Sequence, residues 1–239
     1  MDADLDTLAT ALYVRVDDLL KSEPHRVPWR PRVGIVPKLA DAELVTLAVM
    51  QALLGFTSEA SWLRYARAHL SALFPYLPQQ PGYNKRLRKL TATIGWLIGV
   101  LGRDTSLFTD DVWITDSTPV ECGRSRETAK RSELAGFAEY GYCASHSRYF
   151  WGLRLHLLRP ARKGETERGG ARFFKPLRHI IDSINDTFKG QLGLQAHSGH
   201  TPAGVIVRVR QRILALTAAI WHNDLIGAPI KRSVTAYDH

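Results

Sequence analysis

Leu5, Leu8, Leu12, Val16 and Leu19 recur at intervals of three and four, which predicts an amphipathic helix over residues 3–21. A Pro- and Arg-rich stretch, "SEPHRVPWRPRVGIVPK", breaks the pattern and reads as an arm carrying Arg26, Arg30 and Arg32 outward. The periodicity resumes in "DAELVTLAVMQALLG", with Asp41 as the expected cap and Gly55 as the stop. "FTSEASWLRYARAHL" restarts at once from Thr57 or Ser58. A helix, a tight turn with Gly and a basic second helix have the outline of a helix-turn-helix, with Arg64 and Arg67 on the second helix. After "FPYLPQQPG" the spacing predicts one further helix over 83–101, basic at Lys85, Arg86, Arg88 and Lys89 and then apolar at Ile94, Leu97 and Val100. The first region, 1–103, is therefore expected to be all-helical.

Near Asp104 the pattern changes. "VWIT" predicts a short buried strand over 111–116 that ends on Asp116, followed by a loop with Arg124, Arg126, Lys130 and Arg131. "SRYFWGLRLHLL" alternates and then turns apolar, a second strand over 147–158. Residues 172–190 read as a helix, and a last helix starts at Thr201 with Pro202 in its first position. The expected class is thus mixed α and β, with a second region over 104–239.

Composition narrows the partner. The chain has 239 residues, a net charge of +9 and hydrophobic residues at 45% of positions, which is enough for a core and points to a polyanion, with nucleic acid first. Its two cysteines, Cys122 and Cys143, form no CxxC pair, so a reducing cytoplasm is expected and a zinc or disulfide framework is not. Neither a signal peptide nor a membrane span is expected.

On the helix at 172–190, Arg178, Asp182 and Lys189 follow the spacing Arg-x3-Asp-x6-Lys and share one stripe, beside Asn185 and Asp186. Alone this is an ordinary ion-pair ladder. With Asp116 at a strand end, it becomes the arrangement from which two-metal phosphoryl-transfer sites are built, with carboxylates for Mg²⁺ and cations for phosphate. "AHSGH", with His197 and His200, lacks a third ligand nearby and reads as a loop. Cys122 has no evident base beside it.

The chain resembles the DDE transposases of bacterial insertion sequences. The likeness lies in "WITDSTPVECGRSRETAKRSELAGFAEYGYCASHSRYFWGLRLHLL", in "FFKPLRHIIDSINDTFKGQL" and in "AAIWHNDLIGAPIKRSVTAYDH". It implies an N-terminal helical DNA-binding region, then an RNase-H-like core. Asp116 would be the first acidic metal ligand and Asp182 would stand in the place of a Glu, both catalytic and both on Mg²⁺ or Mn²⁺. Arg64, Arg67, Lys85, Arg86, Arg124, Arg126, Lys130, Arg131, Arg178 and Lys189 would meet double-stranded DNA at the terminal inverted repeats, in a nucleoid-associated protein acting as a homodimer. The family also has an Asp on a strand between these two acids, whereas residues 117–181 contain none. A lost internal block, a truncated core and impaired cleavage are the expectation. The other reading of the same residues is a non-catalytic DNA-binding protein that interferes with an intact relative.

Overall fold

The computed structural model describes residues 3–30, 33–34, 36–109, 113–123, 125–143, 147–160 and 182–229. The chain is mixed helix and sheet. Helix α1 (Ala3–Ser22) buries Leu5, Leu8, Leu12 and Val16, as its spacing predicts. Helices α2 (Asp41–Leu53) and α3 (Glu59–His69) follow, joined through Gly55 at φ 69°, a left-handed turn position that Gly occupies without a Cβ clash. Ser58 caps α3 by accepting from Ser61 N, whereas Asp41 is the first helical residue of α2 and not its cap. Glu43 instead accepts a hydrogen bond from Ala40 N at 2.5 Å at that end.

The helix expected over 83–101 is two helices, α4 (Gln80–Lys89) and α5 (Thr91–Arg103). They break at buried Leu90, and Thr91 Oγ1 donates to the Arg88 carbonyl at 2.6 Å across the joint. Neither Pro nor Gly occupies the joint, so composition gave no warning of it.

Among the described residues the sheet has three antiparallel strands in the order β1-β3-β2: β1 (Trp113–Gly123), β2 (Glu139–Cys143) and β3 (Arg148–Pro160). Strand β1 runs well past the expected end at 116, so Asp116 is the fourth residue of an eleven-residue strand and not its tip. A short helix, α6 (Arg126–Arg131), stands where a basic loop was expected, and β2 falls in a stretch read as loop. Its sequence, "EYGYC", has too little apolar alternation to signal a strand; pairing with β3 supplies what local pattern does not.

In register, Asp116 faces Leu157, Thr118 faces Leu155 and Val120 faces Leu153, so these six residues share one side of the sheet. That side meets α7, described from 182 to 191, where Asn185 reaches Asp116, and its Leu157 lines a cavity together with Ile213 and Leu216 of α8 (Pro202–Leu225). Thr201 caps α8 and Pro202 opens it, as expected, and a cap of this kind is worth about 1 kcal/mol. Helix α8 lies against α5, α2 and α1. The last helix of the second expected region thus completes the core of the first, and the boundary at 103/104 is crossed by packing. One core runs from Leu5 through Val120 and Trp151 to Trp221.

Candidate nucleic-acid interface and acidic site

Asp116 sits on the helix-facing side of β1 and is half-buried. The group that meets it is an amide: Asn185 Nδ2 donates to Asp116 Oδ2 at 2.5 Å. Asp182 lies one turn before Asn185 on α7 and is exposed. Lys189 lies in a π turn, Thr187–Gln191, which closes α7 through a bond from Leu192 N to Thr187 O. The widened turn distorts the regular 3.6-residue stripe on which Asp182 and Lys189 were placed together. Arg178 and Arg124 fall outside the described residues.

Among the described residues no group of three or more His, Cys, Asp or Glu side chains converges as a metal site. Two hard divalent ions want several carboxylate oxygens, and Asp116 is offered a neutral amide instead. The residues described do not fit a two-ion Mg²⁺ or Mn²⁺ centre.

The basic residues divide into two sets. One is engaged within the fold. Arg86 Nη2 and Arg30 Nη2 both donate to Asp41 Oδ1, at 2.8 and 2.5 Å, and Asp41 is 8% exposed. Arg67 Nη2 donates to the Pro78 carbonyl at 2.8 Å and so ties α3 to the segment before α4. Lys130 and Arg131 approach Glu127 at 3.8 and 3.7 Å on the surface of α6, pairs of the kind that contribute little. The other set is solvent-facing. Arg64 on α3, Lys85, Arg88 and Lys89 on α4 and Arg126 on α6 are exposed and have no carboxylate partner among the described residues. Helices α3 and α4 touch, so most of this set lies on two neighbouring helices.

The carboxylates of this region are turned inward. Glu59, in the first turn of α3, is buried against Arg208 of α8, with the Asn84 and Gln80 side chains donating to the same carboxylate. Arg208 also donates to Asn84 Oδ1 at 2.9 Å and to Gln211 Oε1 at 3.2 Å. Gln211 continues the network to Ala48 O and to Gln51 Oε1, which also accepts from the Tyr83 hydroxyl. Burial pulls the Arg208 and Arg212 guanidiniums down to about 10, still charged at neutral pH. No motif announced this network, because an Arg on a helix reads as surface until the helix proves to be surrounded.

A second grouping also escaped the sequence. Cys122 Sγ lies 4.0 Å from His197 Nε2, although the two are far apart in the chain. Gly199 N donates to His197 Nδ1 at 3.0 Å, so Nδ1 is the acceptor. Nε2 therefore carries the hydrogen and donates to the Glu121 carbonyl at 3.1 Å. The ring offers the thiol no lone pair, and burial raises the Cys122 pKa, so the two are not a nucleophile and its base. His197 fastens the segment before α8 to β1. Burial lowers its pKa below the ordinary 6.5. The unfolded chain therefore takes up this proton first as pH falls. Stability is full above about pH 6.5 and declines below it, by at most about 1.4 kcal/mol per pH unit. Thermal unfolding between neutral and mildly acid pH should show that loss, and His197→Gln should remove its share.

No family model, curated protein or solved structure matches the chain. Among the described residues no helix is long and apolar enough to cross a membrane.

Proposed function

We propose that this chain is an insertion-sequence transposase-like protein that binds duplex DNA through α3 and α4 and whose strand-cleaving centre is incomplete. The observation that carries the reading is the sorting of charge: carboxylates Asp41 and Glu59 are buried in ion pairs, while Arg64, Lys85, Arg88 and Lys89 face solvent with no carboxylate partner among the described residues. A surface of that sign attracts phosphate, and the α2-turn-α3 arrangement presents a basic second helix in the manner of groove-reading modules. The resemblance in "WITDSTPVECGRSR" supports the transposase-like origin, with a curtailed RNase-H-like core. The Asp116–Asn185 contact supports the loss of cleavage, since an amide stands beside the acid that metal chemistry would need free.

The test is a gel assay of the intact chain on duplex DNA with Mg²⁺ or Mn²⁺ present. Retarded but uncut DNA is the expected result. Metal-dependent nicking or strand transfer would contradict it.

A further inference from the structure

The arm before α2 holds a tryptophan in solvent. Trp29 is 83% exposed, whereas Arg26 before it and Arg30 after it are pinned. Upstream, the Arg26 carbonyl accepts from Thr93 Oγ1 at 2.6 Å, and the Arg26 guanidinium lies 5.5 Å from the centre of the Trp96 ring. Downstream, Arg30 is bonded to buried Asp41. A free indole in a loose loop would fold back onto apolar surface; this one is held out between two anchors, at the cost of exposed apolar area. Beside it lies a groove of about 420 Å³, lined by Trp29, Val36, Pro37, Arg86, Lys89 and Leu90. Two guanidiniums share one carboxylate on its floor, and Lys89 stands at its side, so the groove is net positive.

An exposed aromatic plane, apolar walls and uncompensated cations together suit a planar aromatic group that carries a phosphate. Resting on the DNA-binding reading above, we propose that this groove takes an unpaired nucleotide, its base stacked on Trp29 and its phosphate near Lys89. A base within a duplex has both faces covered by its neighbours, so the ligand is a single-stranded stretch or a frayed end.

The experiment measures binding of the intact chain to a blunt duplex and to the same duplex with a short unpaired overhang, for the native protein, Trp29→Ala and Trp29→Tyr. The native protein should prefer the overhang. Trp29→Ala should weaken overhang binding by roughly 5- to 100-fold and leave blunt-duplex binding unchanged, and Trp29→Tyr should keep most of the preference. Equal weakening on both DNAs, no weakening on either, or a change in sedimentation with the preference intact would overturn the proposal; the last would make Trp29 a protein-protein contact. Failure of the native protein to bind either DNA at low salt would overturn the DNA-binding reading itself.

Discussion

Replacing Arg208 by Met should lower the free energy of unfolding by about 3–5 kcal/mol, a large share of the roughly 5–15 kcal/mol that holds a domain of ordinary stability together. The side chain is 8% exposed, as is that of its partner Glu59, so neither charge can be rescued by solvent once the other is gone. Met fills similar volume, which keeps cavity formation small and leaves the stranded carboxylate as the main cost. Gln80 and Asn84 remain as donors to it, but neutral amides do not replace a guanidinium. Asn84 Oδ1 and Gln211 Oε1 lose a donor in the same step. The double variant Glu59→Gln with Arg208→Met should recover most of the loss, because it removes both charges at once. Urea unfolding of the two single variants and the double variant reads the effect directly. Single-variant losses below about 1 kcal/mol would show that the network is incidental to stability.

This region also shows where sequence reasoning stops. Helix α1 was legible because Leu5, Leu8, Leu12 and Val16 repeat at intervals of three and four on one side, even though Tyr13 and Val14 face outward. The α2-turn-α3 pair was legible because Gly55 and Ser58 are local signals with local causes. Helix α8 was legible as a helix, from Thr201 and Pro202 onward, but its surroundings were not. Arg208 and Arg212 sit among Val and Ile in a pattern that reads as one wet face. In the fold that face meets the end of α7, where Arg212 Nε donates to the Leu192 carbonyl at 2.8 Å, and the side chain of Glu59. Such burial depends on which helices come together, and no spacing rule contains that. Strand β2 fails for a related reason: "EYGYC" is a strand because β3 pairs with it. At the acidic site, Asp116 was read as the acid that ends an apolar strand and was grouped with Asp182; it lies instead within β1, where the amide of Asn185, three residues after Asp182, meets it. Residues one turn apart on a helix look alike as neighbours of a sheet until the rotation of the helix is known.

The second large effect concerns binding. Lys85→Ala, Arg88→Ala and Lys89→Ala together should weaken duplex DNA binding by roughly 10²- to 10³-fold at about 0.1 M salt and flatten its salt dependence by nearly three counterions, since each phosphate contact contributes a slope of about −0.9. All three side chains are exposed and none is ion-paired among the described residues, so the fold should tolerate their loss. Arg86 is the control. It lies on the same helix but is bonded to Asp41, so Arg86→Ala should cost stability, with an effect on DNA that follows unfolding. If Arg86→Ala leaves the protein stable and reduces affinity as much as the triple variant does, the division of basic residues into internal and DNA-facing sets is wrong.

The most direct measurement is the affinity of the intact chain for duplex DNA across a salt series, in the presence of a chelator. Exposed cations on α3 and α4, with no carboxylate partner among the described residues, predict a linear fall of log Kobs with log salt, with a slope steeper than about −3 and no need for a divalent ion. Binding that is absent at low salt, or that vanishes when the chelator is added, would contradict the account.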